Sequence, residues 1–393
     1  MRWLITLMVL VTAGVLSARQ VELGFPGLEH RVKVFLPEGH DQSKKYPTVF
    51  YYHGAGGAPD TSYLRLHTRD KHWIIVGMAY YRLGSVSYDA KSLENARHLF
   101  RSVQNHLKVK HGLDPQRCYV AGFSKGGWLA DMMLQSEPGL AGGVILGAGH
   151  LDKVKANPAR YRNKKPVFVG IGRKDPNYPF ALQSVMFHRK QGAASTLEIW
   201  NELGHTVPED GSHGLHQWLA IQGQGATALR AVAKREMQLA YDEALERKPL
   251  ARWDRLRQLQ KLPYAALMGK AWVADLERRL AELEQSDPVR QEVKVLALHR
   301  KWVLQEIKVN TMENMMKVHP EYQKLADQYS GTRQATLAQH DAERTAVRIE
   351  QFAKQASARK DKTEHKRDSK RPAKSDVDLP TDQRRIPRNP LIR

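Results

Sequence analysis

Cysteine is almost missing from this chain: Cys118 is the single one in 393 residues. One thiol cannot close a disulfide within the chain or furnish a cysteine-rich zinc or iron–sulfur module, so neither kind of scaffold is available. Long hydrophobic runs are missing as well. The longest, Leu4 to Leu16, falls short of the roughly 20 residues that a membrane-spanning helix needs. Acidic side chains are outnumbered, 41 Asp+Glu against 62 Lys+Arg, for a formal charge of +21. What is present in quantity is apolar: 41% of a chain long enough for more than one domain, sufficient for a sizeable core.

The first residues have the layout of an export signal, with Arg2, the apolar stretch Leu4 to Leu16, and the small residues Ser17 and Ala18. Removal of residues 1–18 is expected, leaving a protein soluble outside the cytoplasm, periplasmic or secreted. No cysteine stands near the cleavage point to carry a lipid, and an exported protein is not expected to bind nucleic acid.

Glycine divides the remainder. It recurs every few residues in the first half, whereas Gly225 to Ala358 is built from Ala, Leu, Gln, Glu, Lys and Arg with few breakers. The front half alternates short β-rich runs with helical patterns. The runs are Arg31 to Leu36, Thr48 to Tyr52, Trp73 to Gly77, Arg117 to Ala121, Gly143 to Leu146, Pro166 to Gly170 and Thr196 to Trp200. From Leu93 to Lys110, one helical face would carry Leu93, Ala96, Leu99, Phe100, Val103 and Leu107, and His111-Gly112 would stop it. Such alternation predicts a mostly parallel, doubly wound α/β sheet with ligands at the carboxyl ends of its strands.

One strand end carries the sharpest motif. The run to Ala121 enters Gly122-Phe123-Ser124-Lys125-Gly126-Gly127 and then an apolar helix from Trp128, which is G-x-S-x-G in strand–turn–helix context. The glycines suit a strained, crowded turn that lifts Ser124 into a site. The Lys125 N–H at the helix start is a natural donor to a developing oxyanion. A serine hydroxyl needs a base, an acid to orient the base, and a second oxyanion donor. His53-Gly54-Ala55-Gly56-Gly57 follows one strand and offers the amides of Ala55 or Gly56; Asp175 and His205 each follow a later strand. Nucleophile, acid and base thus run Ser124, Asp175, His205.

On these motifs, residues 28–220 resemble an α/β-hydrolase of the secreted esterase type, similar to polyhydroxybutyrate depolymerases, feruloyl esterases and dienelactone hydrolase relatives. The resemblance implies that the serine attacks an ester carbonyl, the histidine relays the proton, the acid orients the histidine, and no metal or organic cofactor takes part. Ala55 departs from the glycine common in lipase-like loops but keeps its N–H. Substrate pockets in such enzymes vary with their loops, so the particular ester stays open.

Other residues compete for these roles. Asp152 also follows a strand and is the alternative acid. His150, His213 and His216 read as surface or structural imidazoles, His53 as a structural closure of its strand, Lys125 as a solvated lysine or an anion-attracting one, and Cys118 as buried and inert. Tyr80, Tyr81 and Tyr88, in the loop after Met78, suit either an aromatic or sugar-linked ester or simple packing. Two other functional classes share parts of the pattern: a serine peptidase of the prolyl-oligopeptidase type, for which a β-repeat region ahead of the hydrolase is absent, and a non-catalytic binding protein on a hydrolase scaffold.

The expected organisation is 1–18 export signal, 19–222 hydrolase, 223–358 an all-α C-terminal bundle or hairpin, and 359–393 a disordered basic tail. Helices are predicted at 225–245, 251–262, 264–285, 289–309 and 332–356. The tail has 12 Lys+Arg against 6 Asp+Glu, which would suit an anionic envelope or polysaccharide surface as partner beside the ester substrate.

Overall fold

β-branched and aromatic runs in the front half become strands because their alternate side chains can be buried on both faces of one sheet. The structure, a computed structural model, describes residues 19–81, 90–152, 164–308 and 311–368. The export segment 1–18, Tyr88 and the tail beyond 368 lie outside the described residues. The chain forms one compact unit up to Arg348 and a second from Ile349 onward.

Eight strands make one sheet: β1 (Arg19–Leu23), β2 (Val32–Leu36), β3 (Tyr46–Tyr52), β4 (Ile74–Met78), β5 (Leu113–Phe123), β6 (Gly142–Leu146), β7 (Pro166–Gly172) and β8 (Ala194–Trp200). Their order is β1-β2-β4-β3-β5-β6-β7-β8. The pairs from β4 through β8 are parallel, while β1 and β2 join antiparallel at the edge. β1 escapes the sequence reading because it is a short edge strand with only Val21 and Leu23 shielded in part. Along β3, Phe50 and Tyr52 enter one core while Val49 and Tyr51 enter the other. That two-residue period is what a sheet covered on both faces requires.

One face is covered by α2 (Ala90–Lys110), α3 (Lys125–Ser136) and α4 (Tyr178–Lys190), the other by α1 (Ser62–Thr68) and α5 (His213–Gln222). In α2 the buried residues are Leu93, Ala96, Leu99, Phe100, Val103 and Leu107, the face that the 3–4 spacing predicts. The helix ends where Gly112 turns with φ +67°; a Cβ there would lie 2.2 Å from the Lys44 carbonyl oxygen.

The rear half is all-α. α6 (Ala226–Leu245), α7 (Pro249–Lys261) and α8 (Lys270–Glu284) share a core of Met237, Tyr241, Trp253, Leu256, Leu276 and Leu280, joined by Ile221 from α5 and Val289 from α9 (Asp287–Lys308). The helix expected over 264–285 is broken in two: a 3-10 turn at Ala265–Leu267 is followed by Gly269 at φ 90°, which only then opens α8. A further helix, α10 (Met312–Gln328), has Pro320 inside it, a residue that reads as a breaker. It persists because Met315, Val318, Tyr322 and Leu325 bury one face. The last helix, α11, runs Arg333–Asp368.

Two substitutions in α2 test this packing. Phe100 is fully buried with its ring 4.7 Å from that of Phe50, whereas Val109 is 77% exposed. Phe100→Ala should cost about 3–5 kcal/mol in urea unfolding, and Val109→Ala less than about 0.5 kcal/mol. Equal effects would mean that the helix does not pack as described.

Candidate active site

The turn between β5 and α3 is held in an unusual backbone state. Ser124 has φ 52° and ψ −116°, a region that a non-glycine residue enters at a cost of about 1–3 kcal/mol and keeps only when its surroundings compel it. The compulsion is visible around it. A Cβ on Gly122 would lie 2.1 Å from the Gly126 carbonyl oxygen, and one on Gly126 would lie 2.0 Å from that of Tyr52. The first turn of α3 therefore sits directly on the ends of β3 and β5, closer than side chains allow. The Ser124 amide donates to the Leu146 carbonyl at 2.8 Å, tying the elbow to β6.

A serine preceding a helix ordinarily turns its hydroxyl back to cap the first amides. The Ser124 side chain makes no such bond. Its Oγ lies 2.8 Å from Nε2 of His205, which follows β8. On the other side of that ring, Nδ1 donates to Oδ2 of Asp175 at 2.7 Å. Asp175, in the turn after β7, is fully buried. Its Oδ1 accepts from the Asn177 amide at 2.8 Å, and the Asn177 side chain donates to the Gly147 carbonyl at 2.9 Å. This Asx-type turn orients the carboxylate. Asn177 escapes the sequence reading; its position two residues after an aspartate in a loop is the only signal it leaves.

Gly147, at φ 58°, passes close to the histidine: a Cβ there would be 2.6 Å from the Phe123 ring and 3.5 Å from His205 Cε1. Phe123 itself lies beside the imidazole, centroids 5.1 Å apart. The hydrogen bond that His205 donates to Asp175 raises the His205 pKa above the ordinary histidine value, against the opposing effect of partial burial. The pair therefore stabilises the fold most below the ordinary histidine pKa, and that contribution is lost as pH climbs through the raised value.

The loop after β3 borders the same serine. A Cβ on Gly54 would lie 3.5 Å from Ser124 Cβ. The Gly54 carbonyl accepts from His53 Nδ1 at 2.8 Å and from the Gly57 amide at 3.2 Å, and the Tyr80 hydroxyl donates to the His53 carbonyl at 2.7 Å. Among the described residues, the amides of Ala55 and Gly56 have no hydrogen-bond acceptor. The Lys125 amide, first in α3, has none within its helix. These are the three donors that the sequence nominates for an oxyanion.

The competing residues are placed elsewhere. Asp152 is exposed in a turn, and the carboxylate on His205 is that of Asp175. His150 Nδ1 lies 3.2 Å from Asp131 Oδ2 and stacks on Phe187, while His216 bonds the His67 carbonyl at 2.6 Å. His213 begins α5. Tyr80 is buried against the loop and Tyr81 packs on the core, so both have structural work. The Lys125 ammonium lies 4.7 Å over the Tyr80 ring. Burial pushes the Cys118 thiol up to about 12, which leaves it protonated and unreactive at neutral pH. Among the described residues, no group of three or more His, Cys, Asp or Glu could hold a metal ion.

The strand order β1-β2-β4-β3-β5-β6-β7-β8 puts a serine elbow after β5, an acid after β7 and a histidine after β8 at the carboxyl edge of the sheet. The fold is that of an α/β-hydrolase. No protein-family model and no curated protein matches the sequence. Solved structures similar to the chain include a fluorophosphonate-binding serine hydrolase of Staphylococcus aureus, at 14% identity, 53% of this chain, 99% of that one and a TM-score of 0.40. An esterase of Pyrobaculum calidifontis is similar at 17% identity over 52% of this chain and 84% of its own, TM-score 0.41. A carboxylesterase of Mesorhizobium loti is similar at 20% identity over 51% and 98%, TM-score 0.41.

The electrostatics of the pair can be read without any substrate. In a histidine NMR titration, Asp175→Asn should lower the His205 pKa towards the ordinary value, while Asp152→Asn leaves it in place. A reversed result would show that Asp152 is the partner in solution.

Proposed function

We propose that the chain is a serine hydrolase that cleaves carboxylic esters through an acyl-enzyme intermediate. The observation that carries this reading is the continuous line Ser124 Oγ, His205 and Asp175, with contacts of 2.8 and 2.7 Å. His205 Nε2 takes the hydroxyl proton as Ser124 Oγ attacks the ester carbonyl carbon. Negative charge gathers on the former carbonyl oxygen, where the amides of Lys125 and of Ala55 or Gly56 stabilise it. The tetrahedral adduct collapses, the C–O bond to the alcohol breaks, and His205 returns the proton to the departing alkoxide. Water then repeats the sequence on the acyl-serine, releasing the acid and restoring Ser124. Asp175 holds the tautomer in which Nε2 is free to accept and offsets the charge of the imidazolium.

The leader 1–18 would carry this activity out of the cytoplasm, and the basic tail would hold it on an anionic envelope or polysaccharide. Separate experiments test the activity and the tail. Wild-type protein should be labelled by a serine-reactive phosphonate and should turn over esters in preference to peptide amides. Ser124→Ala should abolish the labelling and lower turnover by about 10⁴-fold or more. Turnover should rise with pH through the raised His205 pKa, because the base acts only when neutral. Labelling that persists in Ser124→Ala would end the proposal, and a strict preference for peptides would make the chain a peptidase.

Deleting 359–393 should leave turnover of a small soluble ester unchanged and weaken retention on an anionic matrix at low salt. The difference should vanish as the Debye length falls below about 10 Å. Equal retention of both proteins at low salt would exclude tethering by the tail.

A further inference from the structure

The helices that follow the hydrolase reach back to the turn that carries Asp175. Arg173, two residues before the acid, is buried, and its guanidinium donates to Asp341 Oδ2 at 2.7 Å and to the Leu337 carbonyl at 3.3 Å, both on α11. Arg344, fully buried one turn further along α11, donates to the backbone carbonyl of Arg173 at 2.8 Å and also bonds Asp341. Its other donors meet Glu306 of α9 at 2.5 and 3.2 Å. Glu306 also accepts from Tyr322 of α10 at 2.8 Å, and His299 of α9 lies 2.6 Å from Asp341. Arg348, one turn beyond Arg344, donates to the carbonyl of Pro176, the residue after Asp175. The Tyr178 ring lies beneath both Arg344, at 4.4 Å, and Arg173, at 5.4 Å.

Two arginines and two acids removed from water are a poor way to gain stability, since desolvation offsets most of their attraction. Docking the helices onto the hydrolase would be served as well by apolar contacts. What the cluster adds is direction: Arg344 and Arg348 place donors on the carbonyls of Arg173 and Pro176, which flank Asp175 on either side. We propose that α9 to α11 form a clamp on the catalytic-acid turn, in which Arg344 and Arg348 are positioning residues that hold Asp175 on His205. The inference rests on the Ser124–His205–Asp175 reading and assigns to the helical half a part in that chemistry.

Arg348 is the residue to test, because it grips the turn from the margin of the cluster and leaves the four buried charges balanced. In the full chain, with an ester whose turnover is limited by chemistry, Arg348→Met should lower kcat about 10-fold to 100-fold. KM should stay within about twofold. The acid limb of the pH profile should move down, towards the ordinary histidine value, as the Asp175 hydrogen bond loosens. The charged groups facing the His205–Asp175 pair include Arg348 itself. Loss of its charge alone would move the limb the other way, because the carboxylate would then stabilise the imidazolium with less competition. Arg348→Lys should recover most of kcat and restore the limb. Phe100→Ala, which loosens a distant core, should not move it. If Arg348→Met does not fold, Arg348→Gln is judged by the same criteria.

Unchanged kcat and limb in Arg348→Met, an upward shift, or the same downward shift in Phe100→Ala would each overturn the clamp. Failure of the underlying triad reading looks different: wild-type protein would resist phosphonate labelling, or Ser124→Ala would stay active.

Discussion

Everything at the site depends on how closely the start of α3 is pressed onto the sheet. The backbones of Gly122, Gly126 and Tyr52 approach at distances that exclude any Cβ, and that approach forces Ser124 to φ 52°. The strain is local, and the two packed cores on either face of the sheet hold it. A relaxed serine at a helix start would cap the helix. Here the hydroxyl is released to meet His205, and the Lys125 amide is left at the end of a helix whose dipole favours negative charge.

The parallel sheet supplies the rest of the site by register. With β5, β6, β7 and β8 paired in parallel, residues just past their carboxyl ends come together although they lie far apart in sequence. Leu146, at the end of β6, takes the Ser124 amide, and Gly147 follows with the left-handed turn that lets the chain pass Phe123 and His205. Asn177 closes the ring by bonding both the acid and the Gly147 carbonyl. Three loops are thereby locked to one another as well as to Ser124, His205 and Asp175.

The helical half, by composition a separate body, reaches this arrangement through buried charge. Arg173, Asp341, Arg344 and Glu306 balance in pairs and are shielded from water. Removing one partner would strand a charge in the interior, so the cluster ties α9 and α11 to one arrangement on the β7 turn. Elsewhere the helices associate in the ordinary way, through an apolar core that includes Trp253, Leu256 and Leu276.

The sequence by itself determined most of the sheet and nominated Ser124, Asp175 and His205, which the fold brings together. Strand alternation is a two-residue signal, the buried face of α2 is a 3–4 signal, and the glycines of the elbow declare a crowded turn; all three are local. It was silent where local and tertiary preferences disagree. α10 forms around Pro320 because Met315, Val318 and Tyr322 are buried by neighbours that the segment cannot foresee. β1 exists only because β2 offers an edge to pair with. The bond of Asn177 to the Gly147 carbonyl and the grip of Arg344 and Arg348 join residues from separate stretches of the chain. Such contacts leave no periodicity in a sequence, because their geometry comes into being only when the sheet, its loops and the later helices have packed together.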